Sequence, residues 1–275
     1  MVLQRLPEGR FAPIRSLFED LRYNLVVDSV VDGNTPAWVY ADDPARPRTA
    51  LMWNRQDALL LAGNSEDDSL NAALHDAIAG PIVADAGQRG IPALSLHVSL
   101  PQWQPRIGTV LAGLRPELAW RRAYALDHLR VDWRRQLPAG RELLPIDPAL
   151  LARDDLQHVD QVRGWVYSFW RSVASFAATG LGYCLLQEGA AASCCLSVYV
   201  SGSNCELGLA THPDFRGRGY ATLVAAACVE HCLVHGWTPH WHCWDDNQPS
   251  IAVAHKVGFA NPRRYQVYRF AVPQG

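Results

Sequence analysis

Apolar positions in the first 140 residues occur in short runs or in helical spacing, separated by clusters of Asp, Asn, Pro and Gly. Short apolar runs between such breakers predict strands, whereas apolar positions three or four residues apart predict amphipathic helices. The pattern predicts a short helix, three strands, a long helix, and then strand, helix and strand. Asn64 and Ser65 are the expected N-caps of the long helix, and Gly80-Pro81 is a point where it can break. The ranges are 14–24, 37–41, 49–54, 58–62, 66–89, 93–99, 103–114 and 120–126.

The second half repeats this alternation. It predicts a strand, two helical segments, a hairpin with a small-residue turn at 189–192, a further strand, a glycine-rich turn and a long helix. A strand, a helix and a terminal strand pair around 264–272 follow. The earlier ranges are 142–146, 148–163, 165–178, 183–187, 193–200, 205–211, 221–235, 240–244 and 250–256.

Strands and helices in this order predict an α/β (α+β) fold with a mixed central sheet and flanking helices. Both halves read as strands, helix, strand, helix, strand. We therefore expect two domains, 1–140 and 141–275, and the shared order suggests a duplicated fold as a hypothesis. No residue-level repeat accompanies it.

Composition narrows the class of protein. The 275 residues are 49% apolar and 19% charged, and the formal net charge of −2 lacks the basic excess that bulk nucleic-acid binding requires. The best apolar run ends at Glu230, well short of a membrane span, and the N-terminus has no apolar core for a signal peptide. All seven cysteines lie between Cys184 and Cys243, with no paired spacing. We expect reduced thiols in a cytoplasmic protein.

The motif with chemical content is the segment Glu206 to Ala227, in which a strand, a glycine-rich turn and a helix follow one another. The turn fits the pattern Q/R-x-x-G-x-G/A with Arg216, Gly217, Arg218, Gly219, Tyr220 and Ala221. Such a turn presents backbone N–H groups at a helix N-terminus, where the helix dipole also favours an anion. A purely structural strand-to-helix turn is the alternative.

Residues further along the chain favour the phosphate-binding interpretation of the turn. The next predicted strand is followed by Asn247, Ser250 and the run Lys256-Val257-Gly258-Phe259. The two motifs together, over about 141–275, resemble the GCN5-related N-acetyltransferases. Glu206-Leu207-Gly208 and Ser250 look most like the RimJ/RimL-type members. The layout also resembles a bacterial tandem group in which a degenerate copy of the fold precedes the active one.

The resemblance implies an acetyltransferase-like fold whose central strands are splayed and hold acetyl-CoA as acyl donor. It implies that Leu209, Ala210 and Thr211 pair with the pantetheine arm and that the N–H groups of 217–221 hold the pyrophosphate. Arg216 and Arg218 are expected to flank the phosphates, with Asn247 and Ser250 near the pantetheine or thiol end. The acceptor is expected to be a primary amine of a small molecule, a peptide or an aminoacyl group. The protein is expected to be a monomer or homodimer, with no membrane or bulk nucleic-acid partner.

Direct attack by a neutral amine needs a proton acceptor, and the departing thiolate benefits from an acid. Glu206 is our expected base. The alternative hypothesis, of equal weight, is that its carboxylate only forms structural hydrogen bonds with neighbouring groups. Asp245, Asp246 and Cys205 are alternatives. Ala254 occupies the position at which the family often has a tyrosine acid, so Ser250, a water or another tyrosine must serve. The available tyrosines are Tyr265, Tyr268 and Tyr167.

Several alternatives remain open. One is a zinc site, but its spacing fits no standard module, so we expect no metal; the residues are His231, Cys232, His235, His240, His242 and Cys243. Another is a non-catalytic acyl-CoA-binding regulatory module.

The aromatic residues Trp165, Phe169 and Trp170 fall on the acceptor side by resemblance, and a core role is as plausible. In the first half, Gly63 to Asp68 carries three carboxylates where the second half has its phosphate loop. We therefore expect one cofactor site per chain.

Overall fold

A computed structural model describes residues 3–99 and 101–273. The chain forms two compact units: one holds the residues up to Trp120 together with those from Gln266 onward, and the other holds Arg121 to Tyr265. Each unit carries a mixed sheet flanked by helices, so the predicted α/β fold class is confirmed. In the described part of the chain, no helix has the length and hydropathy needed to cross a bilayer.

The first unit contains strands β1 to β5. Neighbouring strands run antiparallel, except that β4 and β5 are parallel. The strands are β1 Gln4–Arg5, β2 Trp38–Ala41, β3 Thr49–Trp53, β4 Ala58–Gly63 and β5 Ala93–Val98. The helices are α1 Val26–Val31, α2 Asp68–Ala77, α3 Val83–Gln88 and α4 Ile107–Val110, with 3-10 helices at Ala12–Leu21 and Pro101–Arg106 and a π-turn at Ile78–Ile82.

The helices of this unit depart from the prediction where the backbone is constrained. The long helix begins later, because Asp67 accepts a hydrogen bond from the N–H of Leu70 and takes the N-cap role expected of Asn64 or Ser65. Pro81 lies inside the π-turn that separates α2 from α3. The predicted first helix is largely 3-10 helix, and the predicted helix 103–114 consists of 3-10 helix up to Arg106 followed by the short α4.

The second unit contains the strands in the order β7-β8-β9-β10-β11-β6. All neighbours are antiparallel except β10 and β11. Strand β12 is one continuous strand, so the predicted terminal strand pair is wrong. The strands are β6 Glu117–Leu126, β7 Arg141–Pro145, β8 Gly182–Gln187, β9 Ala190–Ser201, β10 Asn204–Thr211, β11 Thr238–Trp244 and β12 Phe259–Ala271. The helices are α5 Trp133–Gln136, α6 Pro148–Leu151, α7 Val159–Phe169, α8 Val173–Thr179, α9 Tyr220–Val234 and α10 Gln248–Val257, with a 3-10 turn at Pro213–Phe215.

The sixth strand of each sheet comes from the other half of the sequence. Strand β6, from the first half, pairs with β11, with Arg121 opposite Trp244. The end of β12, from the second half, pairs with β5, with Tyr268 opposite Leu96. These two pairings explain why the units divide after Trp120 and Tyr265 rather than at the expected 140/141 boundary. Both sheets share one order of pairings, which supports the duplicated fold.

Helix α9 forms the centre of the second unit. Its run Leu223 to Val229 is buried on all sides, because this helix has no polar stripe over that length. Small residues there, such as Ala225 and Ala226, let the helix lie close to the sheet. The buried helix fixes the position of its own N-terminus, where the glycine-rich turn ends.

The exchange of strands makes the halves interdependent. A fragment of residues 141–275 lacks β6 and exposes the edge of β11, whereas a fragment of 115–275 keeps it. We expect the shorter fragment to aggregate or to melt at least about 10 °C lower, since losing a strand costs several kcal/mol and each shifts Tm by roughly 2–4 °C at this size. Thermal melts and light scattering measure this. Equal melting temperatures would contradict the assigned role of β6.

Candidate active site

The parallel strands β10 and β11 of the second unit pair over only part of their length. Strand β10 pairs with β11 only at three positions, and the last is Glu206 opposite His240. Beyond it, β10 continues to pair with β9 as far as Thr211. The edge of β10 from Leu207 onward therefore faces an opening between the strands, and the prediction of splayed strands is confirmed.

A bulge lies at the same point. Glu206 pairs with Tyr199 and Leu207 with Ser197, so Val198 is an extra residue in β9. A bulge adds local twist and bends the strand. In the first unit, by contrast, β4 and β5 are paired from Ala58 to Leu61, and the N–H of Ser99 adds a hydrogen bond of 3.0 Å to the carbonyl of Leu61.

The glycine-rich turn ends at the N-terminus of α9. Gly217 and Gly219 have φ of +76° and +81°, in the left-handed region that favours glycine, and Gly219 is the N-cap. Over the described residues, the backbone N–H groups of 217–221 have no acceptor within the chain. Several donors at the start of a 15-residue helix form a site suited to a phosphate.

Side chains of the turn bind the protein itself. Arg216 Nε donates to the carbonyl of Thr211 at 3.3 Å, and Arg218 donates to Gln187 Oε1 at 3.2 Å and to the carbonyl of Asp214 at 3.0 Å. Tyr220 is buried and donates its hydroxyl to the same Gln187 oxygen at 2.8 Å. Tyr220 can therefore offer a ligand only its backbone, and the two arginines brace the turn.

Helix α10 begins beside the opening. Asn247 Oδ1 accepts from the N–H of Ser250 at 3.2 Å, which leaves the Asn247 amide NH₂ as the group it can offer a ligand. The hydroxyl of Ser250 accepts from the indole N–H of Trp241 at 3.2 Å. Ala254 is fully buried, so no polar side chain reaches the opening from that position.

The two predicted catalytic residues lie on opposite faces of the sheet. Side chains alternate along a strand, so Glu206 shares a face with its cross-strand neighbours Tyr199 and His240, whereas Trp241 and hence Ser250 lie on the other. Glu206 is buried. On its face, Phe169 contacts Tyr199 edge-on at 5.8 Å and Trp165 at 5.9 Å, so an aromatic wall accompanies the carboxylate.

Two of the alternative bases, Cys205 and Asp245, have partners of their own, and Tyr167, one of the tyrosines considered as the acid, is exposed. Cys205 is buried with its Sγ 3.5 Å from that of Cys232, and this hydrogen bond together with burial raises the pKa of the Cys205 thiol. Asp245 receives hydrogen bonds from Arg122 and Arg264, and the pKa of this carboxyl is lowered chiefly by Arg122. Tyr167 is 57% exposed.

The histidines proposed as an alternative zinc site have separate partners. His231 stacks on His235 with 4.1 Å between ring centres, and His240 Nε2 lies 3.0 Å from Asn204 Oδ1. Among residues 3–99 and 101–273, no three His, Cys, Asp or Glu side chains come together as a metal ion would require. The absence of a metal in the reaction stays a prediction.

Two further features were not expected from the sequence. Tyr265 Oη lies 3.0 Å from His242 Nδ1 and accepts from Arg121 Nε at 3.1 Å. A small pocket of about 40 Å³ lies between α7 and the end of β10, where the rings of His158 and His212 stack with 3.7 Å between their centres. Alternation along β11 places His242 on the face of Glu206, so the sequence could have indicated this histidine as a site residue. Its partner Tyr265 could not be predicted from the sequence.

A parallel strand pair that opens beside a helix N-terminus with unpartnered N–H groups is the arrangement that the sequence motifs predicted for an acetyltransferase fold. The chain belongs to the GNAT acetyltransferase family, whose model matches residues 15–268. This match covers most of the first unit as well, beyond the 141–275 that the motifs cover. The protein is therefore an acyltransferase by family.

Similar proteins agree with this assignment. The chain is 28% identical over 270 residues to the uncharacterized N-acetyltransferase YdfB of Bacillus subtilis (strain 168), covering 97% of this chain and 98% of that one. A GCN5-related N-acetyltransferase-like protein from Streptococcus suis 89/1591 has a TM-score of 0.70 at 23% identity, covering 95% and 98%. A tandem GNAT protein from the clavulanic acid biosynthesis pathway has a TM-score of 0.58 at 16% identity, covering 99% of each chain.

The close packing at Gly208 gives a test of the sheet face that carries Glu206. A Cβ there would lie 2.6 Å from Val198 Cγ1 and 3.0 Å from Trp165 Cζ3. We expect Gly208→Ala to cost about 1–3 kcal/mol of unfolding free energy and to shift the tryptophan fluorescence, because Trp165 must move. In the matched control Gly164→Ala, the new methyl meets nothing within 4 Å and should stabilise α7 by about 0.5–1 kcal/mol. Chemical denaturation measures both, and equal effects would contradict the packing.

Proposed function

We propose that this protein is an N-acetyltransferase that moves an acetyl group from acetyl-CoA to a primary amine by direct attack, with one cofactor site in the second unit. The observation that carries the proposal is the opening between β10 and β11 next to the unpartnered N–H groups of 217–221. RimJ/RimL-like motifs, a cytoplasmic location and a monomer or homodimer remain part of the proposal.

The cofactor arm would lie along the exposed edge of β10. Backbone groups of Leu209, Ala210 and Thr211 can pair with amides of pantetheine as an added strand does. The N–H groups from Gly217 to Ala221 would hold the pyrophosphate. Asn247 and Ser250, at the start of α10, would meet the pantetheine and the sulfur end, and no metal takes part.

The acceptor would approach from the face of Glu206. A buried carboxylate beside Trp165, Phe169 and Tyr199 suits an amine that arrives as an ammonium ion, because aromatic faces and carboxylates both attract cations. Glu206 would take the proton that the ammonium must lose before it can attack. The acceptor would be a small molecule or a peptide or aminoacyl amine.

The first unit would bind no cofactor and is the degenerate copy. Its parallel strands stay paired, and its equivalent turn carries Glu66, Asp67 and Asp68, which repel phosphate. Calorimetry should give one equivalent of acetyl-CoA per chain, and two equivalents would contradict the proposal. A non-catalytic acyl-CoA-binding module would bind equally well but release no CoA with any amine; membership of an acyltransferase family favours turnover.

The turn is tested by Gly219→Glu. A carboxylate beside the phosphates and a displaced backbone should weaken acetyl-CoA binding by about a hundredfold or more, because two or three charge-assisted hydrogen bonds are lost. Gly219→Ala should weaken it less. Neither new Cβ meets an atom within 4 Å, so the folding cost is only the left-handed backbone, about 1–2 kcal/mol.

The matched control is Gly202→Glu, at the opposite end of β10. Its φ is +54° and its Cβ position is likewise open, so it carries a similar backbone penalty away from the turn. It should bind acetyl-CoA normally. Unchanged affinity in a folded Gly219→Glu protein, measured by calorimetry, would contradict the phosphate-binding role of the turn.

Glu206 is tested by an isosteric change. Glu206→Gln keeps the size of the side chain but removes the base, so kcat should fall by about 10²-fold or more while acetyl-CoA affinity stays within a factor of three. The measurement is CoA release between pH 6 and 9, with a thermal melt as folding control. Near-normal turnover over this range would show that Glu206 is not the base.

A further inference from the structure

His242 lies on the β11 side of the opening. It follows the last paired residue, His240, by two positions, so it extends into the region where β10 and β11 have parted. Alternation along β11 places it on the face of Glu206, and its cross-strand neighbour on β6 is Ala123. This face is the one from which the acceptor would approach.

A hydrogen-bonded row holds the imidazole of His242. Tyr265 Oη lies 3.0 Å from its Nδ1, and Arg121 Nε donates to the same oxygen at 3.1 Å. The Arg121 guanidinium also lies 4.6 Å from the centre of the Trp244 ring. Tyr265 belongs to β12, on the far side of β6 from β11. The small side chain of Ala123 lets the phenol reach across β6.

This contact sets the direction of the ring. Nδ1 points toward β6 and Tyr265, and the two nitrogens of an imidazole point away from each other. Nε2 therefore faces away from Tyr265 and β12. Arg121 can only donate, so the phenol oxygen acts as an acceptor toward it, and the phenol can either accept from Nδ1–H or donate to Nδ1. We assign the tautomer that carries its proton on Nδ1, which makes Nε2 the basic nitrogen.

We propose that His242 is a catalytic proton-transfer residue of the acyl-transfer reaction, and that Tyr265 and Arg121 are positioning residues that hold its Nε2 toward the opening. This inference rests on the proposed function.

The proton balance explains why a second group is needed. An ammonium acceptor loses one proton before attack, which Glu206 takes and passes to solvent, and a second as the C–N bond forms. His242 Nε2 accepts the second proton. The C–S bond then breaks with its electron pair on sulfur, and the imidazolium returns the proton to the thiolate. The products are the amide and the CoA thiol, and His242 is neutral again.

On α10, Ala254 offers only a buried methyl group, and the Ser250 hydroxyl, which accepts from Trp241, lies on the sheet face opposite Glu206 and His242. His242 thus takes the place of the tyrosine acid that the family often carries at the Ala254 position.

The charged and titratable groups around His242 come from four strands. Glu206 of β10 and His240 of β11 share its face, and burial lowers the pKa of His240. Arg121 of β6 and Tyr265 of β12 form the hydrogen-bonded row. At the end of β11, Asp245 is held by Arg122 and Arg264. The pH profile of the reaction therefore has to be interpreted with the ionisation of all these groups in mind.

The first experiment compares His242→Ala with wild type in CoA release from acetyl-CoA, using a polyamine, an aromatic monoamine and a peptide N-terminus as acceptors. We expect kcat to fall by about 10²–10⁴-fold with acetyl-CoA affinity unchanged, and added imidazole to restore part of the turnover. His235→Ala, at an exposed position after α9, is the matched control and should behave as wild type. More than a third of wild-type kcat in His242→Ala, or no rescue by imidazole, would overturn the proposal.

The second experiment tests the row without turnover. Nitrogen-15 NMR of the labelled imidazole should show the proton on Nδ1 in wild type and a mixture of tautomers in Tyr265→Phe, which should also lower kcat about tenfold and shift its pH profile. A proton on Nε2 in wild type would overturn the assignment of the row. A protein that binds acetyl-CoA but releases no CoA with any amine would contradict the proposed function itself, and the catalytic role of His242 with it.

Discussion

The candidate site depends on one event in the sheet: the parallel pairing of β10 and β11 stops at Glu206 and His240. Up to that pair, the backbone groups of both strands satisfy one another. Beyond it, the edge of β10 is half-buried and is no longer covered by β11. The proposed pairing with the cofactor arm uses this edge. The bulge at Val198 bends β9 at this point and leaves β10 in regular alternation.

The same constraint explains why the two units differ despite a shared order of strands. In the first unit, β4 and β5 are paired from Ala58 to Leu61, and Ser99 extends the contact. The turn before α2 is acidic. The proposal of a single cofactor site, in the second unit, rests on these two differences.

Exchange of the sixth strands also ties the catalytic face to the whole chain. Arg121 and Ala123 of β6 come from the first half of the sequence, yet they flank β11 beside His242. Tyr265 of β12 contacts His242 on the same face. The proton transfer proposed for this face therefore draws on residues from both halves of the sequence. On the opposite face, the Ser250 hydroxyl accepts from Trp241.

The sequence by itself determined the local features. The order of elements in the second half, the left-handed glycines at 217 and 219 and the cap formed by Asn247 each follow from neighbouring residues, because turns and caps are short-range interactions. Tertiary structure decided what joins distant residues. Arg121 and Tyr265 are 144 positions apart, and no periodicity connects them. The partners of β5 and β11, the length of the opening and the burial of Tyr220 likewise depend on which strand lies beside which, and pattern within a strand carries no information about its neighbour.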